Sequence, residues 1–466
     1  MKRDMTSGNV MVSLLWFVVP LAIGNILQQL YNIIDTYIVG RYVGNDALAA
    51  VGSVSQLIFI FNAVIMGLKA GIAVTCSECV GRKDIKGFVV CSRAGLILVS
   101  TAALACTSVG FLLIKSFLKL ISVPLEIRED ASNYLSIIVL GLPLVFVFNY
   151  GIALAQSKGN SIITFIALLI STISNVVLDL IFIRGFKMGV KGAAFATVIA
   201  QFISAVIVIG TYMATLRTDR DESKTLKLQS NTFIDILKVS LPSMLQQGIL
   251  SIGVVSISAL INRCGYAMIA GVTIGGKIDG ITSMPIVTIA EALSVFTAQN
   301  IGANKPERVL KGLKSAMGLC FALALILAVL IVFQGRYMIS LFLAEPDNQI
   351  VNEGMGYMIS ILVMMFFMVV FRCFIGMFTG KKMMGPVILS FVFNIISRVA
   401  FAYNTFSFLG KYAVLIANPL SVLVGAISII SFYYYIEVRK NRIYDNRIRN
   451  NCYEQNIDCK CSLSGD

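Results

Sequence analysis

Residues 10–38 read VMVSLLWFVVPLAIGNILQQLYNIIDTYI, an apolar run whose one charged side chain is Asp35. About 20 apolar residues suffice to cross the hydrocarbon core of a bilayer as a helix, whereas a barrel strand needs only about 9–11. The run shows no period-two alternation, so it reads as a helix. It follows a basic Met-Lys-Arg start that resembles a signal peptide, but it is too long for one and no A-x-A cleavage site follows. Eleven further runs of the same kind follow, the fifth over Ile162–Ile183, the eighth over Met268–Ala298 and the last over Tyr412–Ile436.

The composition agrees with this reading. Hydrophobic residues make up 57% of the 466-residue chain and charged residues 13%, with a mean hydropathy of +0.85. A soluble domain carries about 25% charged residues, so this chain lacks the charge to solvate its own surface. In lipid every backbone group must be satisfied internally, which selects helices here. The expected fold class is an all-α integral membrane protein with twelve spanning helices.

The net charge of +14 is distributed by membrane side and does not point to nucleic acid. Loops on the side that would hold both termini carry 22 Lys and Arg against 10 on the other. Cytoplasmic loops are enriched in these residues, so both termini are expected in the cytoplasm. The expected location is a plasma or inner membrane.

An internal repeat organises the chain. Pro20 heads PLAIGNILQQLYN and Pro242 heads PSMLQQGILSIG, 222 residues later. Gly44-x-x-Ala47-x-x-Ala50 is echoed by Gly265-x-Ala267-x-x-Ala270, Gly81 by Gly302, and Asn175-Val-Val-Leu-Asp179 by Asn394-Ile-Ile-Ser-Arg398. The near-constant offset implies two homologous six-helix bundles sharing one orientation, related by a pseudo-two-fold axis along the membrane normal. Such parallel repeats imply a central cavity and alternating access. The expected divisions are residues 1–216 and 232–438 for the bundles, 217–231 for a charged cytoplasmic linker and 439–466 for a polar cytoplasmic tail.

Ionisable groups inside spans are costly and mark function. Here they are Asp35, Lys69, Asp179, Lys277, Asp279, Glu291, Arg372 and Arg398. Gln28, Asn32 and Asp35 form a polar stripe with Tyr31 a turn from Asp35, and Ser171, Asn175 and Asp179 form another. Two carboxylates backed by amides and hydroxyls suit a shared proton or a bound Na⁺. A structural polar contact between helices is the alternative. Lys69 and Glu291 nearly correspond under the repeat and are expected at the interface of the halves. Lys277 and Asp279 are expected to snorkel toward the membrane surface. Arg372 and Arg398 fit salt bridges and substrate contact equally well. The run Met364-Met365-Phe366-Phe367-Met368 reads as lipid-facing filler or as a soft cavity wall.

Enzyme signatures are missing. The chain has no histidine, which removes the commonest general base and metal ligand. Gly271–Ile278 mimics a phosphate-binding loop, but Ile278 stands where Ser or Thr must bind Mg²⁺. Cys76-x-x-Cys79 is a single pair without a second. No enzyme activity and no cofactor beyond a coupling ion are expected.

The sequence resembles the MATE (multidrug and toxic compound extrusion) family from about Val10 to Ile436. The resemblance is carried by QQLYNIIDTYIVGRYVGNDALAAVG, AQSKGNS, SNVVLDLIFI, GVKGAAFATVIAQ, GGKIDGITSMP and FTAQNIGANKPERV, in that order. It implies a V-shaped cleft between the bundles and export of amphipathic, cationic small molecules in exchange for H⁺ or Na⁺. The DinF-like branch uses a cation site in its N-terminal bundle, and Tyr31, Asp35, Asn149, Asn175, Asp179 and Thr197 match that pattern. Na⁺ would lie at Asp35, Asn175 and Asp179. The NorM-like branch adds acidic residues in the C-terminal bundle, one of them in its tenth span. Here that span offers Arg372 instead, which favours the N-terminal site. Lys69 also departs from the family pattern. The cleft is expected to include Gln28, Asn32, Lys69, Gln246, Glu291 and Arg372. Expected partners are the substrate and the lipid bilayer, with the protein a monomer. A flippase for lipid-linked precursors or oligosaccharides is the alternative, and it would require a strongly basic cleft.

Overall fold

The computed structural model describes residues 4–217, 228–343 and 347–454. Most of the expected linker and the end of the expected tail, with Cys459 and Cys461, lie outside the described residues. Among the described residues all regular structure is helical. The elements are α1 (Val10–Tyr42), α2 (Asn45–Gly81), α3 (Ile85–Leu120), α4 (Leu125–Ser157), α5 (Ser161–Asp179), α6 (Gly189–Arg217), α7 (Ser230–Ile261), α8 (Tyr266–Thr282), α9 (Met284–Gly302), α10 (Pro306–Ser340), α11 (Asn348–Gly380), α12 (Met384–Leu409) and α13 (Lys411–Glu454). Twelve spans result, because α8 and α9 together make the eighth.

Side-chain caps start several helices. Asn9 accepts from Val12 N at 3.2 Å, Asp84 from Gly87 N at 2.7 Å and Asp347 from Gln349 N at 2.8 Å. Each satisfies one of the orphan donors of a first turn. Two spans differ from the uninterrupted helices read from sequence. The eighth breaks at Ser283, where Pro285 opens α9; proline lacks the N–H that would continue α8. The fifth passes after Asp179 into a π-helical turn over Leu180–Gly185.

Helix packing repeats across the halves. In the first half α1 packs on α5, α2 on α3 and α4, α4 on α3 and α6, and α5 on α6. Their counterparts meet in the second: α7 on α12, α9 on α10 and α11, α11 on α10 and α13, and α12 on α13. Between the halves, α1–α9 and α2–α7 are equivalent pairs, and α2–α9 lies on the pseudo-two-fold axis. Gly44 and Gly265 begin equivalent helices at φ +118° and +90°, a conformation that β-carbon-bearing residues resist.

Outward faces are apolar: Leu112 and Phe333 are each 79% exposed, as side chains meeting lipid would be. The methionine run differs from both expectations, since Met365 and Met368 are buried in the helix core. An unbranched thioether fills such irregular gaps well.

Hydrogen bonds and close contacts join the halves at the end that holds residues 4–9. A Cβ on Gly81 would lie 1.9 Å from Gln299 O, and one on Gly302 would lie 2.1 Å from Glu78 O. Glu78 and Gln299 are repeat counterparts, so the contact is two-fold symmetric. Lys382 Nζ reaches Glu78 at 2.6 Å, and Gln299 Nε2 donates to Ser157 O at 2.7 Å. The segment before α1 is strapped to the second half. Lys305 Nζ donates to Thr6 O at 2.7 Å, and Arg308 donates to the carbonyls of Met5, Ser7 and Gly8 at 3.0–3.2 Å. The two halves are therefore closed together at this end.

Candidate functional site

Two clusters of polar side chains lie at membrane depth. The first is inside the N-terminal half. Asp35 ends the polar face of α1, and Asp179 is the last residue of α5 before the π-helical turn. A π turn re-aims side chains at a helix interruption and recurs at functional sites. Asp35 and Asp179 lie within hydrogen-bonding reach of each other, with Tyr31 and Tyr134 in electrostatic range of both. Asp179 is 0% exposed and Asn175, one turn below it, 2%.

Thr197 Oγ1 is the hub beneath the carboxylates. It donates to Ala193 O at 3.1 Å, accepts from Asn175 Nδ2 at 3.4 Å, and stands 3.3 Å from the Tyr31 hydroxyl. With the Asn175 amide nitrogen engaged there, its carbonyl oxygen is left over. Asp35 Oδ1, both oxygens of Asp179 and Asn175 Oδ1 are buried, and no donor among the described residues reaches them. A buried acceptor without a partner costs about 1–3 kcal/mol. Four such oxygens on three neighbouring side chains form a pocket of acceptors that suits a proton or a hard cation.

The structure brings together Tyr31, Asp35, Asn175, Asp179 and Thr197. It does not bring Asn149 to them. Asn149 donates to Val145 O of its own helix at 2.9 Å. It stands fifteen residues along α4 from Tyr134, which is about 22 Å of helix rise. Tyr134 is the neighbour that sequence reasoning missed, because an isolated tyrosine in an apolar span carries no periodic signal.

The second cluster lies between the halves. Lys69 Nζ stands 3.5 Å from Glu291 Oε2. These positions nearly correspond under the repeat, so their contact places them close to the pseudo-two-fold axis. A cavity of about 150 Å³ opens beside them, lined by Gln246, Gln247, Ser243, Glu291, Arg372 and Thr379 together with apolar side chains such as Met66 and Val287. Asn25 Nδ2 bridges the halves to Thr288 Oγ1 at 2.9 Å. Asn25 shares its helix face with Gln28, Gln29 and Asn32, a pattern that its spacing in the sequence carries. Asn32 is exposed and donates to Gln29 Oε1 at 3.0 Å, while Gln28 is half-buried. Neither lines the cavity.

Asp279 does not snorkel. It accepts a hydrogen bond from Ser283 at the break between α8 and α9, and it lies in electrostatic range of Arg372 and Arg398. Lys277 does point outward, with Nζ 6.0 Å from the Phe342 ring centroid.

A family model, MatE, matches this chain twice, over residues 20–181 and 242–404. The two matches are offset by 222 residues at their starts, as the internal repeat requires. Among curated proteins, the probable multidrug resistance protein YoeA of Bacillus subtilis is 23% identical over 433 residues, covering 91% of this chain and 93% of its own. The probable multidrug resistance protein YpnP of the same organism is 27% identical over 74% of this chain and 77% of its own. The multidrug export protein MepA of Staphylococcus aureus is 25% identical over 72% and 75%. Among solved structures, an outward-facing multidrug resistance MATE family transporter of the MOP superfamily superposes with a TM-score of 0.87. It is 23% identical, covering 94% of this chain and 98% of that one, so the likeness speaks for the fold.

Proposed function

The chain belongs to the MatE family, and from that premise we propose that it is a secondary antiporter, exporting amphipathic small molecules in exchange for H⁺ or Na⁺. The observation that carries the exchange is the set of four donor-less buried oxygens on Asp35, Asn175 and Asp179. Such a set is stable with a proton or cation among its oxygens and costly without one. The coupling ion is a transported species here, and Tyr31, Thr197 and Tyr134 are the neighbouring groups around its pocket.

In this reading residues 1–216 and 232–438 rock about the axis marked by Lys69 and Glu291. The expected membrane is the plasma or inner membrane, with both termini cytoplasmic, which makes the state described here the one closed to the cytoplasm. Filling the N-terminal site from outside favours substrate release, and substrate binding from the cytoplasm favours ion release. That exchange requires reciprocal affinities. For a substrate with no net charge, a proton crossing a potential of about 150 mV supplies roughly 3.5 kcal/mol, enough for a gradient of a few hundred-fold.

The cavity between the halves supports small-molecule export over lipid-precursor flipping. Its neighbourhood mixes Lys69 and Arg372 with Glu291, a set that is not strongly basic. Glu291 is the group there that would meet a cationic substrate. The test is counterflow: in proteoliposomes, adding substrate on one side should drive H⁺ or Na⁺ the other way. Substrate movement with neither ion moving in return contradicts the proposal.

A further inference from the structure

The charges around the inter-bundle cavity do not cancel. Lys69 and Glu291 pair with each other at 3.5 Å. Asp279 faces two guanidinium groups, those of Arg372 and Arg398, and one carboxylate can neutralise only one of them. Arg398 Nε is buried without a hydrogen-bond partner, so that end of the cluster is already short of acceptors. Arg372 is in none of the ion pairs among the described residues, and its guanidinium carbon lies 5.8 Å from the Phe391 ring centroid. It is also the arginine that lines the cavity. Arg372 sits eight residues before the end of α11, about 12 Å of helix rise from that end and therefore inside the membrane.

Glu291 and Asp279 both act on Arg372, but Glu291 also serves Lys69 and Asp279 also serves Arg398, so three cations share two carboxylates. A guanidinium at this depth that must share its counter-charge is costly, and an anion beside it removes the cost. The other walls suit the remainder of such a ligand: Gln246, Gln247 and Ser243 offer hydrogen bonds, and Met66, Val287 and Ile375 offer apolar surface. We propose that this cavity binds amphiphiles bearing a single anionic group, a carboxylate, sulfonate or phosphate ester, with Arg372 as the anion's partner. Glu291 beside it lets the same cavity hold a cationic pole, so zwitterionic amphiphiles fit as well. This rests on the small-molecule reading of the cavity, and it adds the charge class of the substrate.

The test is equilibrium binding to the purified full-length protein in neutral detergent, with radiolabelled taurocholate as the anion and tetraphenylphosphonium as the cation. Binding needs no ion gradient, so the result does not depend on whether the protein is an antiporter. The protein should bind taurocholate. Arg372→Gln should weaken it about ten- to hundred-fold, the range of a lost charge-assisted hydrogen bond. The same change should strengthen tetraphenylphosphonium, because it removes a positive charge from the cavity. Opposite responses distinguish a charge partner from a structural arginine, whose loss lowers both. Glu291→Gln should act in the reverse sense, and it keeps the test open if Arg372→Gln does not fold. Phosphatidylglycerol added to the micelles, with phosphatidylcholine as control, separates the possible sources: displacement of taurocholate assigns the site to a lipid headgroup, and no displacement to a soluble amphiphile. No taurocholate binding, unchanged affinities, or both probes weakening together would overturn the proposal. Taurocholate binding without ion-coupled transport would instead leave the anion site standing and remove the antiporter.

Discussion

Gly81→Ala should hold the two bundles apart at the end bearing residues 4–9. The added methyl would lie 1.9 Å from Gln299 O and 2.7 Å from the carbonyl carbon. Ordinary carbon–oxygen contact needs about 3.3–3.5 Å, so a backbone carbonyl in the last turn of α9, already bonded to Ala303 N, would have to retreat by about 1.5 Å. It cannot do so by a rotamer change, and α9 would have to shift as a body. Overpacking of this kind costs about 1–3 kcal/mol, equivalent to a five- to 150-fold shift against the closed state. The repeat supplies an internal control. Gly302→Ala puts the methyl 2.1 Å from Glu78 O across the same axis and should act almost identically. The assay is a spin-label distance measurement between Ile85→Cys and Glu307→Cys in a background cleared of native cysteines. Both sites lie at helix starts on this side, one in each bundle, and both are exposed. Each alanine should add a longer-distance population and slow transport, while neither should prevent folding, because each contact lies between the bundles. An unchanged distance distribution would refute the reasoning that these glycines set the closed contact.

Three further outcomes follow from the same geometry. Asp35→Asn and Asp179→Asn should each abolish ion dependence of transport in a folded protein, and the double variant should be little worse than either; two multiplying losses would mean that the carboxylates work separately. Asn149→Ser should leave ion dependence intact, since Asn149 is bonded within α4; loss of coupling in a stably folded variant would return it to the site. Tags at both termini should be inaccessible from outside intact cells, as the 22-to-10 distribution of Lys and Arg predicts; labelling of either tag from outside contradicts that orientation.

Hydropathy made the spans legible because the bilayer imposes a length that no other environment demands. The repeat went further. A position and its near-counterpart can touch only close to the axis that relates them, so the 222-residue spacing of Lys69 and Glu291 pointed to the interface of the halves, and the structure adds that they meet there. Hydropathy does not register backbone interruptions, and the break at Ser283 and the π turn after Asp179 were therefore hidden. Pro285 was the readable sign of the first. The N-terminal cluster was readable as two polar stripes, yet their meeting depends on how α1 packs on α5, a tertiary fact. Asn149 was placed there by family resemblance, and helix length alone sets it apart. Asp279 was misread as snorkelling because the arginines opposite it come from α11 and α12, far along the chain.

Coupling is the centre of the account, and proteoliposomes with H⁺ and Na⁺ gradients imposed separately test it most directly. One of the two gradients should drive substrate uphill in the native protein, and the same gradient should drive none through Asp35→Asn. Uphill transport that needs neither gradient, or that survives Asp35→Asn at full rate, would contradict it.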